Sequence, residues 1–500
     1  MPISTAYLAL ENAVRSYNPG ADLEILKRAY DFATEAHAEQ KRASGEPYII
    51  HPITTAMTLA EMRLPIQIVV AGLLHDVPED TPRTIEQIEK EFGPDVAKLV
   101  AGITKLGKIK YRGIERYIEN LRKMFLAMAE DVRVVVIKFA DRLHNLETLG
   151  AIPPKKQYRV ALESLEIFAP IANRLGMGEM KGRLEDAAFK YVFPKEYEWT
   201  RNLVETSDRQ QQGYLNKIMG LARKDLADAK LEVIDIHGRA KHLYSTYRKL
   251  LKNERNIARI YDLIAVRVLV PTVADCYGAL GIIHGRWTPL KGRIKDYMAQ
   301  PKPNGYRSLH TTVFCEDGEI VEFQIRTPEM HQAAEYGIAA HWAYSEMGKR
   351  STASISSRID WVSQLADIQQ ELKDKKEYLH SLEDLKIDVF RDRIFVFTPR
   401  GDVLDLPEDS TPVDFAYNIH TDLGNTCTSA KVNDEMAPLS QTLKSGDIVE
   451  IVIDKNRKGP NPDWLKFVKT HHAKSKIRQY ARAGIASWIK GVIPGNFLKK

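Results

Sequence analysis

The spacing of apolar residues changes along this chain, and that change limits the folds it can adopt. From Ala21 to about Thr200 the apolar residues recur at helical intervals, whereas between roughly 230 and 345 short β-branched runs alternate with helical ones. One hydrophobic core rarely serves more than about 300 residues, and this chain has 500. We therefore predict a multidomain protein with an all-α domain at 1–200 and a mixed α+β domain at 201–350.

A second β-rich region lies nearer the C-terminus. Residues 387–453 contain alternating runs broken by Pro-Arg-Gly and Pro-Glu-Asp turns, with one helical stretch, PVDFAYNIH, between them. This pattern is typical of a small β-grasp module, which we place at 386–454. We predict a helical linker before it, at 351–385, and C-terminal helices after it, at 455–500.

Composition excludes several classes of protein. The apolar fraction of 44% and the charged fraction of 28% are ordinary for a globular chain. No run approaches the roughly 20 apolar residues that cross a bilayer, and the first residues do not resemble a signal peptide, so we expect a cytoplasmic protein without a membrane partner. Cys276, Cys315 and Cys427 follow no metal-binding spacing, and we expect buried, reduced thiols.

Histidine and aspartate residues stand among apolar neighbours in the helical region. They are His51, His75, Asp76 and Asp141. An ionised Asp inside a helical bundle must be paired or bound to a metal, and imidazole with carboxylate but no thiolate suits manganese, zinc or iron. For any single histidine, a hydrogen-bonded core residue is the alternative.

Further polar residues accompany this group. Asp141, His144, Asn145 and Thr148 fall at i, i+3, i+4 and i+7, so one helix face presents a polar stripe suited to lining a pocket. Glu79 and Asp80 follow Pro78, which should end or kink the preceding helix. Carboxylates beside a metal are suited to acid–base work on an attacking water. The pattern indicates phosphoester hydrolysis.

The middle region carries a different set of polar residues. It contains no P-loop sequence, but Arg239, Lys241, Ser245 and Lys249 have about helical spacing and could bind a triphosphate. A solvated basic helix would explain the same pattern. The segment PKPNGYRSLHTTV at 301–313 predicts a glycine-dependent turn that exposes Tyr306 for stacking on a base, with His310 nearby.

Two acids in this region lie within or beside predicted strands. Asp262 and Glu322, one on each strand, could share a magnesium ion, and one of them could also accept a proton from an attacking hydroxyl. The alternative is a salt bridge at a strand end with Arg267 or Arg326.

These motifs together resemble the long Rel/SpoT enzymes of guanine-nucleotide alarmone metabolism. RASGEPYIIHP at 42–52, HDVPEDT at 75–81 and DRLHN at 141–145 resemble the HD phosphohydrolase domain of that family. GRAKHLYSTYRK, RIKDYMAQ, PKPNGYRSLHTTV and HQAAEYGIAAHWAY resemble its nucleotidyltransferase-like synthetase domain. Residues 387–453 resemble its TGS domain. The resemblance implies a stringent-response enzyme that makes (p)ppGpp from ATP and GDP or GTP, and hydrolyses it.

The resemblance implies roles for the hydrolase residues. His51, His75, Asp76 and Asp141 would hold Mn²⁺, and Glu79 with Asp80 would serve the attacking water. The nucleotide would contact four further residues, which are Arg42, Ser44, Asn145 and Thr148. Pro78 stands where Val or Ile is usual in the family, and it could shift Glu79 and Asp80. Glu147 stands where Arg is common, which would reverse a charge beside the anionic substrate. Both departures predict weaker hydrolysis.

The synthetase residues receive roles in the same way. Asp262 and Glu322 would bind Mg²⁺, Glu322 would activate the 3′-hydroxyl, and Tyr306 would stack on guanine. Arg239 and Arg267 would sandwich adenine, Lys241 and Lys249 would hold its phosphates, and Arg293 and Lys295 would contact the acceptor's phosphates. The remaining predicted nucleotide contacts are Ser245, Lys302, Asn304 and His310. The sequence from Arg293 to Asp296 accompanies bifunctional members.

The C-terminal part implies partners beyond nucleotides. His420 matches the position that reads the 3′ end of uncharged tRNA, and the basic segment resembles the start of a helical regulatory domain. We therefore expect contact with tRNA and the ribosome, a homodimer as the candidate assembly, and a natural chain that continues further. The leading interpretation is a bifunctional enzyme. The alternatives are a synthetase with weak hydrolysis and a non-catalytic tRNA- or ribosome-binding stress sensor.

Overall fold

A computed structural model describes most of the chain. Lys241, Asp262 and the predicted linker at 351–385 lie outside the described residues. The chain divides into two compact units, Met1–Gln369 and Gln370–Lys500. Within the described part, no helix has the length and apolarity to span a membrane. The described residues are 3–107, 123–239, 242–256, 265–302, 304–346, 393–444, 446–454, 457 and 459–492.

The N-terminal part of the first unit is helical, as predicted. Every regular element described up to residue 228 is a helix, and the last of them crosses residue 200. The helices are α1 (Ile3–Tyr17), α2 (Leu23–Ala36), α3 (Ile50–Glu61), α4 (Ile66–Leu74), α5 (Val77–Asp80), α6 (Ile85–Phe92), α7 (Pro94–Gly107), α8 (Val132–Glu147), α9 (Pro154–Glu163), α10 (Ala169–Arg174), α11 (Gly178–Val192) and α12 (Pro194–Asp228), with a 3₁₀ turn at Leu149–Ala151 and a π turn at Ser164–Phe168.

Helix α4 is the centre of this domain because it has no polar face. Its sequence IQIVVAGLL is buried along its whole length except for Gln67. Gly72 allows α3 to approach closely, since a Cβ there would lie 2.5 Å from Leu59 Cδ1. The helix ends at Leu74, so His75 and Asp76 emerge directly from the core.

The second part of the first unit is a mixed sheet with helices. Its order is β1-β2-β6-β5-β3, with β4 paired to β5, and only β2 and β6 run parallel. The strands are β1 (Asp235–Gly238), β2 (Ala265–Leu269), β3 (Thr288–Pro289), β4 (Lys295–Asp296), β5 (Leu309–Phe314) and β6 (Ile320–Arg326). The helices are α13 (Leu243–Lys252), α14 (Val273–Arg286), α15 (Pro328–Tyr336) and α16 (Ile338–Glu346), with a 3₁₀ turn at Glu316–Gly318.

The two faces of this sheet differ in chemistry. Apolar and polar residues alternate in strand β6 from Val321 onwards, so Val321, Phe323 and Ile325 enter a hydrophobic core shared with α12 and α14. The residues between them, Glu322 and Gln324, point to the opposite face together with Arg326. That second face is polar yet largely covered, which is unusual unless the polar groups bind one another or a ligand.

The second unit contains two small sheets and a buried helix. It begins with β7 (Arg393–Phe397) and β8 (Val403–Pro407), followed by α17 (Pro412–Ile419) and α18 (Thr421–Thr426). The three-stranded sheet has the order β10-β9-β11. Its strands are β9 (Cys427–Val432), β10 (Glu435–Ala437) and β11 (Val449–Ile453), and a 3₁₀ turn at Pro462–Lys466 and helix α19 (His471–Val492) follow.

Helix α17 connects the parts of this unit. Its N-cap Thr411 and its buried residue Asp414 form a capping box, and the other Asp414 oxygen accepts bonds from the backbone amides of Lys469 and Thr470. The basic segment is helical from His471, as predicted. All three cysteines are buried and unpaired, as also predicted.

Candidate functional site

Four predicted metal ligands meet where α3, α4 and α8 converge. His51 Nε2 lies 3.3 Å from Asp76 Oδ2 and 3.2 Å from Asp141 Oδ1. His75 Nε2 lies 3.2 Å from Asp76 Oδ1 and 3.8 Å from the same Asp141 oxygen. His51, His75 and Asp141 together form a buried group that could hold a metal ion. Residues from three separate segments of the chain, at positions 51, 75–76 and 141, therefore reach one point.

The charges in this cluster favour a cation. Burial opposes ionisation of Asp76 and Asp141, yet the neighbouring His75 and, for Asp141, the Lys138 ammonium hold the pKa of each carboxyl well below its usual range. Burial lowers the pKa of His75, but Asp76 and Asp141 outweigh it and raise that pKa to about 10. A divalent ion would replace the proton as the positive partner of these carboxylates.

The ligand set fits a divalent metal ion. His75 Nε2 is buried without a hydrogen-bond partner among the described residues, although it faces the two carboxylates. Its Nδ1 lies 2.8 Å from the carbonyl oxygen of Gly72, which fixes the ring and leaves Nε2 free for a ligand role. Two imidazoles with carboxylates match a catalytic rather than a thiolate-based structural site.

Glu79 and Asp80 lie beside the cluster, in the short helix α5. Pro78 occupies the first turn of α5, where its missing N–H costs no hydrogen bond, so it begins a new helix after α4 has ended. The Tyr48 hydroxyl donates to Asp80 at 2.7 Å and lies 2.9 Å from Asp76. Burial raises the pKa of the Glu79 carboxyl, and Lys138 partly offsets that rise. Pro78 therefore leaves both acids close to the cluster.

A cavity of about 280 Å³ adjoins the cluster and contains the four predicted nucleotide contacts. Arg42, Ser44, Asn145 and Thr148 all line it. Arg42 is carried by a tight turn with Gly45 at φ +87°, and its Nη2 donates to Asn145 Oδ1 at 2.6 Å. A cationic group at the mouth of a polar cavity suits a phosphorylated ligand.

Sequence reasoning missed two residues of this site and misjudged a third. Lys138 lines the cavity and pairs with Asp141 Oδ2 at 2.6 Å, while Asp141 Oδ1 faces the two histidines and accepts from Asn145 Nδ2. Tyr48 lies within the motif RASGEPYIIHP, but its contact with the cluster was not predicted. Glu147, expected beside the substrate, does not line the cavity and instead faces Arg183 at 3.9 Å, so its negative charge is directed elsewhere.

Metal binding to this cluster gives a first expected result. Mn²⁺ at a hundred times its Kd should stabilise the protein by about 2.7 kcal/mol through preferential binding to the folded state. Asp141→Asn should abolish that effect because it removes a buried anionic ligand. Titration calorimetry and thermal unfolding with and without Mn²⁺ measure it. Asp31→Asn, at an exposed position of α2, is the control. Equal Mn²⁺ binding by both variants would contradict the assignment.

The second site lies on the polar face of the mixed sheet. Glu322 accepts from Gln324 Nε2 at 2.9 Å, and His310 Nδ1 lies 2.9 Å from its other oxygen. Burial raises the pKa of Glu322, but the contacts with His310 and Gln324 outweigh it and lower that pKa to about 2. The carboxylate is therefore held ionised. Strand β2, which follows Asp262 in the chain, pairs with β6 so that Ala265 lies opposite Glu322.

Tyr306 is held in place more firmly than predicted. The expectation of an exposed ring was wrong, because the residue is half-buried and its hydroxyl lies 2.6 Å from His310 Nε2. Arg326 Nη2 donates to the same hydroxyl at 3.1 Å. The predicted turn is present, with Gly305 at φ +78°. The Lys302 ammonium lies 5.0 Å from the Tyr306 ring centre, at cation–π distance.

Cationic side chains gather around this site. Burial, together with repulsion from Lys295 and Arg239, lowers the pKa of Lys302 to about 8. Lys295 pairs with His310 across β4 and β5. Lys302, Lys295 and Arg239 are therefore close enough to sense one another, and an anion would relieve their repulsion. Arg293 follows a turn at 291–292 and precedes Lys295 by two residues. Lys249 lies in the last turn of α13.

Two residues predicted to contact the nucleotide, Ser245 and Asn304, have partners within the protein. Ser245 Oγ donates to Glu185 Oε2 of α11 at 3.4 Å, and Asp186 accepts from the backbone amide of Tyr244 at 2.9 Å. The side-chain amide of Asn304 donates to the carbonyl oxygen of Asn173 at 3.4 Å. Helix α11 therefore packs against α13, and the end of α10 contacts the turn that carries Tyr306.

Arg267 and Arg326 do not pair with Glu322, contrary to the salt-bridge alternative. Arg267 Nη2 lies 2.8 Å from Glu335 Oε1, and Arg326 Nη1 lies 3.6 Å from the same oxygen. In the second unit, His420 is exposed and caps helix α18 through a bond from the Asp422 amide to its Nδ1 at 3.2 Å.

Comparison with known proteins identifies the same three regions. Residues 29–178 match the family model described as the HD domain, residues 238–349 match the region found in RelA/SpoT proteins, and residues 394–453 match the TGS domain. Each match falls inside the corresponding domain predicted from the sequence.

Curated relatives match nearly the whole chain. A guanosine-3′,5′-bis(diphosphate) 3′-pyrophosphohydrolase of Aquifex aeolicus is 48% identical over 92% of this chain and 65% of its own. A GTP pyrophosphokinase of Myxococcus xanthus is 46% identical over 94% and 62%, respectively. The bifunctional (p)ppGpp synthase/hydrolase SpoT of Escherichia coli is 44% identical over 94% and 66%. The chain thus spans slightly less than two thirds of the length of these relatives.

Proposed function

Because the chain belongs to the Rel/SpoT family, we propose that it is a bifunctional alarmone enzyme. One site transfers the β,γ-pyrophosphate of ATP to the 3′-hydroxyl of GDP or GTP, giving (p)ppGpp and AMP. The other hydrolyses (p)ppGpp to GDP or GTP and pyrophosphate. The observation that carries the proposal is the presence, in one chain, of two separate buried polar groups, each with ligands suited to a different phosphate reaction.

Hydrolysis is assigned to the cluster at His51, His75, Asp76 and Asp141, with Mn²⁺ as the proposed ion. The bound ion would lower the pKa of a water molecule towards neutrality. Glu79 or Asp80 accepts the proton of the water as its oxygen attacks the phosphorus attached to the 3′-oxygen, and the bond between that phosphorus and the 3′-oxygen breaks. Arg42 and Asn145 orient the nucleotide from the adjoining cavity.

Pyrophosphate transfer is assigned to the polar sheet face, with Mg²⁺ as the proposed ion at Glu322 and Asp262. Glu322 receives the proton of the 3′-hydroxyl as its oxygen attacks the β-phosphorus of ATP, and the bond from that phosphorus to the α,β-bridging oxygen breaks to release AMP. Arg239 and Arg267 hold adenine, and Tyr306 stacks on guanine. Lys295 and Lys302 neutralise phosphate charge, which their mutual repulsion favours.

Two assays on the purified chain test the proposal. ATP with GDP and Mg²⁺ should yield AMP and a guanosine tetraphosphate, and the tetraphosphate with Mn²⁺ should yield GDP and pyrophosphate. Chromatographic product analysis distinguishes the two reactions. Synthesis alone would support the second candidate, a synthetase with weak hydrolysis, although Pro78 leaves Glu79 and Asp80 close to the cluster and Glu147 does not line the cavity. The absence of both reactions would leave only the stress-sensor alternative.

The depressed pKa of Lys302 gives a pH-dependent prediction for synthesis. With a pKa of about 8, its ammonium is charged at pH 7 and mostly neutral at pH 9. The KM for the nucleotide that it contacts should therefore rise with pH, by at most about tenfold between these values, following the protonated fraction. Lys302→Arg keeps its charge at both pH values and should flatten the profile.

The control for that experiment is Lys217→Arg, at an exposed position of α12. It should reproduce the pH dependence of the unaltered protein. An equally steep rise of KM in Lys302→Arg would contradict the assignment of the pH dependence to Lys302.

We also propose that the second unit binds uncharged tRNA on the ribosome through His420. The exposure of His420 and its position at a helix N-terminus support this role. His420→Ala should weaken tRNA binding in a filter assay, with His237→Ala as a control at a partly exposed histidine of the first unit.

A further inference from the structure

A continuous series of side-chain contacts crosses the polar face of the mixed sheet, and some of its residues have no role in the proposed pyrophosphate transfer. It begins at Arg267 on β2, passes through Glu335 on α15 to Arg326 at the end of β6, and continues to the Tyr306 hydroxyl. From Tyr306 it reaches His310 and then Glu322. Every link except that between Glu335 and Arg326 is 3.1 Å or shorter.

Among the described residues, Glu335 is the only carboxylate in ion-pair contact with Arg267 or Arg326. Its side chain is 15% exposed, and those of Arg267 and Arg326 are 16% and 2% exposed. Burial lowers the pKa of the Arg267 guanidinium, and the Glu335 carboxylate opposes that effect. A buried cation that loses its counter-ion is strongly disfavoured, so the charge of both arginines is balanced by this one carboxylate, while hydrogen bonds to Tyr306 and Gln324 also hold Arg326.

The two arginines serve different substrates in the proposed function. Arg267 would lie against the adenine of the donor, whereas Arg326 fixes the hydroxyl of Tyr306, which would stack on the guanine of the acceptor. Arg326 also donates to Gln324 Oε1 at 2.9 Å, and Gln324 donates to Glu322. A shift of Arg326 would therefore reach both the acceptor's base and the carboxylate that receives its proton.

We propose that Glu335 is a positioning residue that couples the donor and acceptor subsites of the synthetase, because one of its carboxylate oxygens lies within ion-pair distance of both Arg267 and Arg326, at 2.8 and 3.6 Å. This inference rests on the proposed pyrophosphate transfer and extends it to the effect that each substrate has on the affinity for the other. A donor that orders Arg267 also orders Glu335, and through Arg326 it prepares Tyr306 for the acceptor. Binding of each substrate then favours binding of the other, with the same factor in both directions.

The test measures the Kd of GDP by calorimetry with and without a non-hydrolysable ATP analogue, in the presence of Mg²⁺. In the unaltered protein the analogue should tighten GDP binding by about fivefold or more. Glu335→Gln keeps the size of the side chain but removes its charge, and it should reduce that factor to about one. Glu335→Asp should restore part of the coupling. The control is Glu329→Gln, at an exposed position of the same helix, and it should keep the full factor.

The outcomes separate this inference from the function on which it rests. If Glu335 had a purely structural role, Glu335→Gln would raise the Kd of GDP equally with and without the analogue. The ratio of the two Kd values would then be unchanged, and that result would overturn the proposal. So would an absence of coupling in an unaltered protein that transfers pyrophosphate. Failure of the unaltered protein to bind GDP and the analogue, or to transfer pyrophosphate, would instead overturn the proposed function. The hydrolysis rate of Glu335→Gln should equal that of the unaltered protein, which checks that the variant is folded.

Discussion

Replacing Glu322 by Gln should reduce pyrophosphate transfer by about three orders of magnitude while hydrolysis continues at its normal rate. The carboxylate is held ionised on the polar sheet face by His310 and Gln324. An amide of the same shape can neither bind Mg²⁺ as an anion nor accept the proton of the 3′-hydroxyl, and loss of a positioned base alone costs about 10²–10⁴-fold. Formation of AMP from ATP and GDP measures the effect.

The control for this variant is Glu319→Gln, which changes an exposed carboxylate directly before β6. It should transfer pyrophosphate at the normal rate. If Glu322→Gln retained more than about a tenth of the normal rate, Glu322 could not be the proton acceptor.

Replacing Asp76 by Asn should have the opposite effect, with hydrolysis lost by about three orders of magnitude or more and transfer unchanged. Asp76 lies within 3.3 Å of both cluster histidines, and the Tyr48 hydroxyl also contacts it. The variant removes one negative charge from the proposed ligand set, so both the affinity for the ion and the acidity of the attacking water should fall. Release of pyrophosphate from the tetraphosphate measures it.

Asp31→Asn, which changes an exposed aspartate of α2, is the matched control for the hydrolase. Calorimetry with Mn²⁺ on the same variants distinguishes lost metal binding from lost chemistry. Normal hydrolysis by Asp76→Asn at saturating Mn²⁺ would show that Asp76 is not an essential ligand.

Much of both sites followed from local sequence pattern. The stripe of Asp141, His144, Asn145 and Thr148 required only helical spacing. The structure brings three of these residues to one cavity, whereas His144 lies against His51, with 2.7 Å between their Nδ1 atoms. The placement of Glu322 on a strand followed from the β-branched run IVEFQIRT, whereas the pairing of that strand with β2 is seen only in the structure.

The parts that could not be predicted depend on contacts between distant segments. Ser245 carries no sign that its partner is Glu185, 60 residues away. Nothing local to HQAAEYGIAAHWAY indicates that Glu335 faces Arg267, because that contact depends on how α15 packs on the sheet. The exposure of Tyr306 was misjudged for the same reason, since the partner of its hydroxyl, Arg326, comes from another strand. Glu147 was misjudged because its partner Arg183 belongs to another helix.

The central claim is that one chain carries two independent sites, and its most direct test is the amount of AMP formed for each GDP supplied. ³¹P NMR monitors this amount in the presence of excess ATP, Mg²⁺ and Mn²⁺. Glu322→Gln alone should form no AMP, and Asp76→Asn alone should stop after one AMP for each GDP, because the acceptor is used up. A mixture of the two variants should continue far beyond that limit, since hydrolysis by one regenerates GDP for the other. A mixture that also stops at one AMP per GDP would contradict the account.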